Sequence, residues 1–451
     1  MTTTSSASET AADSVGGCCE GSAPSVGGCC DGGAPAEDGC CDTAAPSGGC
    51  CDSPPPMATP AMPGLDKVLG WEPYRLMFTI GLLHVVGALA LWVFAAMTGW
   101  LFKPGPAHIG LVVNGFMACF VAGFLGTFAP RLLDAPWTGP RATGSLVAVA
   151  SAGLLAVILG SELALHLVHV VLYAWLLIFA ARCLLQGGQR PPAHMAMAGM
   201  ALVFGLVTAL TMTLESAFDL PAVVSRTAWS LQTQGVLLIM VIGVGGLLVP
   251  RFAGGAGCSS GVGATPQPYL RYAALGVIVA ASYGVEAWQF TQGQVDTVLY
   301  RSMFGLRALI AAALLVPAFR IPAGSAAWLR AAQCALGSIV LGLALPALWP
   351  GYLMAWNHLI FITGFLWLTL VIATKVVCAH SGRGVQLEQA KRSMIIMGSL
   401  LVIGMLTRIG AEWSPSSYNL HLWLGAVLVL AAIAWWMWRY ALLLFVLPWN
   451  R

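Results

Sequence analysis

The sequence predicts an all-α integral membrane protein: a twelve-helix transmembrane bundle with a disordered cytoplasmic N-terminal tail. Three observations predict it. Of 451 residues, 58% are hydrophobic and only 9% are charged, against about 25% charged in an ordinary soluble domain. Apolar windows of about 20 residues, the length that crosses a bilayer, recur along residues 71–451. Residues 1–63, by contrast, contain no aromatic residue and no base. So much apolar surface has to face lipid, which excludes a soluble enzyme, a nucleic-acid binder and a fibrous protein. Charge divides the chain at the same place, with a net −8 over residues 1–70 and +11 over the rest.

The tail, residues 1–70, is rich in Gly, Ser, Ala and Pro. It cannot bury enough surface to offset the entropy of ordering, so disorder is expected. It has neither the basic start nor the apolar stretch of a signal peptide. It holds eight of the 13 cysteines as four adjacent pairs, Cys18-Cys19, Cys29-Cys30, Cys40-Cys41 and Cys50-Cys51. Each pair follows glycine and precedes an acid, at steps of 11, 11 and 10 residues. Paired thiolates on glycine hinges suit a soft cation such as Cu(I) or Zn, and reactive thiols support redox chemistry. A low-complexity repeat without a role fits the same pattern, and the spacing matches no zinc finger.

The membrane domain, residues 71–451, carries spans at about 76–98, 109–129, 143–160, 163–185, 194–214, 229–249, 270–290, 300–319, 328–347, 353–377, 394–411 and 420–446. Breaks between them carry Pro, Gly and charge, as in Lys103-Pro104-Gly105-Pro106. The third span is short and its border with the fourth is the least defined. With the N-terminus in the cytoplasm, 16 of the 21 bases fall on the cytoplasmic side and five outside. The positive-inside rule therefore sets both termini in the cytoplasm, a reducing compartment in which the tail thiols stay free.

Ionisable groups within spans default to functional candidates, so the histidines are placed by depth. His108, His166, His169, His358 and His421 fall toward the outer side, His84 near mid-depth, and His194 and His380 at the inner surface. His166 and His169 are three residues apart and share a helix face. Glu286, Arg307, Arg408 and Glu412 crowd the outer level, either as two structural ion pairs or as the wall of a polar chamber. Neutral imidazoles there suit haem iron or copper, and buried arginines suit haem propionates. His194, Met195, Met197 and Met200 form a thioether cluster that suits Cu(I), although methionine is also ordinary helix filler. No Walker phosphate loop, G-x-S-x-G or C-x-x-C-H motif occurs.

Gly123-Phe-Leu-Gly-Thr-Phe-Ala-Pro130 after His108, then Val249-Pro250-Arg251, Trp356-Asn357-His358 and Ala379-His380-Ser381-Gly382-Arg383, resemble the NnrS family over residues 70–450. The resemblance implies a haem- and copper-containing protein of the inner membrane of bacteria that acts in the response to nitric oxide and protects against nitrosative stress. No settled reaction comes with it. By position His108, His358 and His380 match family histidines. Where the family has H-x-H-E, this chain has His108, Gly110 and Leu111, so a metal site using the second histidine and the acid is missing or altered. His166 and His169 are candidates to compensate. Depth and resemblance together make His108, His166, His169, His358, His421, Arg307 and Arg408 the candidates for cofactor binding; His380 is a candidate metal ligand by its family match, and the tail cysteines are candidates by their pairing alone. Two other readings suit twelve spans: a secondary transporter, which predicts related halves, and a copper-handling protein fed by the tail. No repeat between spans 1–6 and 7–12 is evident.

Overall fold

A computed structural model describes residues 72–98, 105–136, 139–252, 267–320, 326–382 and 390–445. The tail and its four cysteine pairs lie outside the described residues. Among those described, twelve helices are long and apolar enough to cross a membrane, and no strand occurs. Large apolar side chains such as Leu155, Ile158, Leu185 and Leu309 point outward, as lipid contact requires.

The twelve helices fall into three consecutive sets of four. The first is α1 (Pro73–Ala95), α2 (Gly105–Leu133), α3 (Gly139–Ile158) and α4 (Glu162–Gln186). The second is α5 (Met195–Glu215), α6 (Ala222–Arg251), α7 (Gln267–Thr291) and α8 (Val298–Phe319). The third is α9 (Ala327–Leu348), α10 (Pro350–His380), α11 (Lys391–Trp413) and α12 (Pro415–Leu444). In each set the first helix packs on the second and the third on the fourth. The fourth then packs on the first helix of the next set, and α12 closes on α1.

The second helix of each set lies inside. α2, α6 and α10 run 29, 30 and 31 residues, and bury 72%, 78% and 67% of their most apolar window. The other nine bury at most 50%. Each inner helix also contains a π-helical stretch, at Gly110–Met117, Leu231–Gly235 and Leu359–Leu366. Such insertions re-aim the side chains around them and recur at functional sites. The repeat is written in sequence at these stretches: Asn114-Gly115, Gln234-Gly235 and Thr363-Gly364. Sixteen residues after the polar member stand Pro130-Arg131, Pro250-Arg251 and Ala379-His380. A search for halves misses a repeat in thirds.

Close approach explains a glycine that α2 and α6 share nine residues after the polar member, Gly123 and Gly243. A Cβ at Gly123 would meet Met77 of α1, and one at Gly243 would meet Met197 of α5, at 2.8 and 2.9 Å. Small residues let lipid-embedded helices touch where no hydrophobic drive brings them together.

Helix ends agree with the sequence expectation within a few residues, except that α6 starts at Ala222 rather than near 229. Its first turns carry Ser225, Arg226 and Thr227, which lower hydropathy although the helix continues. The tight border between α3 and α4 turns at Gly160, φ +66°. There the Ser161 hydroxyl accepts the Ala164 N–H at 3.3 Å and caps α4, a normal use of serine.

Candidate functional site

At the end of the bundle where the inner helices begin, a chamber of about 370 Å³ is walled by helices of all three sets. His108 of α2 and His358 of α10 both line it. The Nδ1 of His108 lies 3.1 Å from the Ala88 carbonyl, and the Nδ1 of His358 lies 2.8 Å from the Met354 carbonyl. A carbonyl only accepts, so each Nδ1 carries the proton and donates it. In the neutral ring Nε2 is then a bare lone pair, the form that ligates a metal, held in orientation by its backbone partner. The Trp92 ring also meets His108 edge-on, with centroids 5.9 Å apart.

Two cations share the wall. Arg408 is 8% exposed and donates to Glu412 at 2.9 Å. Arg226 lies 4.1 Å over the Phe290 ring and 5.5 Å over Trp229, and has no carboxylate partner among the described residues. Arg226 was not among the sequence-derived candidates, because it sits in the turns read as loop. The rest of the lining is mostly apolar, from Val85 and Phe116 to Phe361 and Val429.

Arg307 stands one layer back. It is fully buried and pairs with Glu286, whose carboxylate does line the chamber. Its guanidinium lies 4.0 Å over the Tyr283 ring. A polar chain continues from there: the Tyr283 hydroxyl donates to Gln234 at 2.8 Å, and the Gln234 amide donates to Asn357 at 3.1 Å. Asn357 precedes His358. The chain ties the ion pair to the histidine's own backbone. Gln234 and Tyr283 escaped the sequence reading. The one sequence signal was the polar-Gly pair shared by the three inner helices.

His166, His169 and His421 do not line the chamber. His169 lies against the other face of the first π-helical stretch, where its Nε2 donates to the Asn114 carbonyl at 3.1 Å. Gln232 donates to the Asn114 side chain at 3.5 Å, and the His84 ring occupies the space a Cβ on Gly115 would need. His166 is half-buried on α4. His421 packs on α11, its Cε1 3.5 Å from where a Cβ on Gly410 would stand. Among the described residues, no three of His, Cys, Asp and Glu converge as a metal cage. Two imidazoles in one chamber are donors of the kind that hold haem iron. The thioether cluster is packing: Met197 is fully buried, and His194 pairs with the Tyr272 hydroxyl at 2.7 Å.

His380 lies at the opposite end of the bundle, with both ring nitrogens engaged. Its Nδ1 lies 2.9 Å from Glu72, and Arg131 donates to its Nε2 and to Glu72. Two inner-helix ends are thus clipped to the start of α1. Burial works to raise the Glu72 pKa, but the hydrogen bond from His380 and the charges of His380, Arg131 and Arg75 outweigh it and hold the carboxyl below its ordinary 4.5. A carboxylate with a depressed folded value stabilises above its unfolded pKa and loses that contribution as pH falls through the folded one. Thermal stability is therefore expected to fall with acidification below about pH 4.5, and Glu72→Gln to flatten that branch. An unchanged branch in the variant would remove Glu72 as its source.

Residues 69–446 match the NnrS protein family. No curated protein matches the chain.

Proposed function

Because the chain belongs to the NnrS family, we propose that it is a haem-holding membrane protein of the response to nitric oxide, protecting against nitrosative stress. One observation carries the reading: two neutral imidazoles from different inner helices present bare Nε2 atoms in one chamber between Arg226 and Arg408. In this reading His108 and His358 would hold the haem, and the two arginines would pair with its propionates. Ferrous haem supplies an iron that binds nitric oxide. The chain excludes bulk water with its apolar lining, fixes both rings through backbone carbonyls and balances the anionic groups. Nitric oxide is small and neutral, so it reaches a membrane-buried site through the lipid.

The bias of bases, 16 against five, supports a bacterial inner membrane location with both termini cytoplasmic. Organisation in thirds argues against a transporter built from two rocking halves.

An absorption spectrum of the detergent-purified full chain tests the function. A Soret band, α and β bands on reduction, and a shift of the ferrous Soret on adding nitric oxide are expected. A colourless full-length preparation overturns the reading.

The four tail pairs support a separate copper-collecting role. Deleting residues 1–63 is expected to lower copper per chain while leaving the Soret absorbance unchanged. Equal copper in both forms would end this part of the proposal.

A further inference from the structure

A second cavity, about 110 Å³, lies among the three inner helices, farther along them than the chamber. Met117 and Phe120 of α2, Met240 and Val244 of α6, and Phe365 and Ile372 of α10 line it. Its lining holds one side-chain hydroxyl, Thr369, which donates to the Met117 sulfur at 3.8 Å. A water fits in about 10–15 Å³ of such space but needs two to four polar partners. This cavity has the room and lacks the partners, so it stays dry. Dry apolar cavities take up apolar molecules such as xenon.

The cavity adjoins the chamber. Met117 lines both, while Leu366 faces the chamber and its neighbour Phe365 faces the cavity. From these observations we infer that the space between α2, α6 and α10 is a binding site for a small apolar gas, a reservoir one side chain away from the chamber that His108 and His358 line. It concentrates a neutral diatomic where water is excluded, and Met117 with its Thr369 partner forms the partition. That the gas is nitric oxide rests on the function proposed above; the site itself does not.

Xenon is the probe, read by 129Xe NMR on the full chain in lipid nanodiscs. The wild type is expected to give a saturable shift beyond that of empty discs. Val244→Phe fills the cavity and is expected to abolish it, and the milder Val244→Leu to weaken it severalfold should the larger ring impair folding. Leu309→Phe, on a side chain 70% exposed toward lipid, is expected to leave it unchanged. A wild-type response that rises linearly with xenon, or one that persists at full size in both Val244→Leu and Val244→Phe, overturns the site. The measurement uses no nitric oxide. Its failure leaves the haem reading standing, and a haem-free protein that still binds xenon separates the two the other way.

Discussion

Replacing His358 or His108 by alanine is expected to abolish the haem binding proposed above. Each ring has only one nitrogen to offer, because the other donates to Met354 or Ala88, and no other histidine among the described residues lines the chamber. Even loss of a partner behind a metal ligand costs about 10–100-fold in affinity, so loss of a ligand itself should lower Soret absorbance per chain by at least about tenfold. Haem lost from His358→Ala should return with added imidazole, which fills the space and restores the lone pair. His166→Ala and His421→Ala serve as controls and should keep full occupancy. Arg226→Gln and Arg408→Gln should weaken retention while preserving band positions, since they act on the rim and not on the iron. Full occupancy in both His108→Ala and His358→Ala would leave the proposed haem-holding role of these two histidines without support.

The difference between those two groups of histidines marks how far the sequence reaches. Twelve helices were legible because lipid demands an unbroken apolar window for each. His108 and His358 were legible as costly groups in apolar surroundings. What a linear reading does not contain is rotation about the helix axis. His169 and His108 both read as outer from the sequence, yet His169 reaches the Asn114 carbonyl within the first π-helical stretch and does not line the chamber. His166 shares its helix but not its environment. Which face of α4 meets α2 is set by packing between helices, and the sequence of either helix alone does not state it. Arg226 was hidden for a different reason. A helix that starts with polar residues facing an internal chamber reads as loop to any measure of hydropathy. The threefold repeat was visible only as a polar-Gly pair and a distant Pro-Arg or Ala-His, too sparse to be found without the helix order.

Arg307→Met is expected to be the most destabilising single change in the membrane domain outside its packing residues. The guanidinium is fully buried and held by Glu286, by the Met303 carbonyl at 3.1 Å and by the faces of Tyr283 and Phe304. Its Nη1 has no hydrogen-bond partner, so the charge already sits at the edge of what its surroundings satisfy. Removing one partner of a buried pair leaves an uncompensated charge and costs about 3–5 kcal/mol, whereas replacing both with apolar or neutral groups of similar volume is often neutral. Arg307→Met should therefore lower the thermal midpoint strongly, Glu286→Gln should do so as well, and Glu286→Gln with Arg307→Met should recover most of the loss. Haem retention separates stability from positioning. The double variant still lacks the cation over Tyr283 that anchors the Tyr283–Gln234–Asn357 chain. It should fold yet hold His358 less firmly, with weaker haem binding than its stability alone would suggest. A double variant as unstable as Arg307→Met would mean that the cation supports the fold through packing and not through its charge, and the tie from Glu286 to His358 would lose its electrostatic origin.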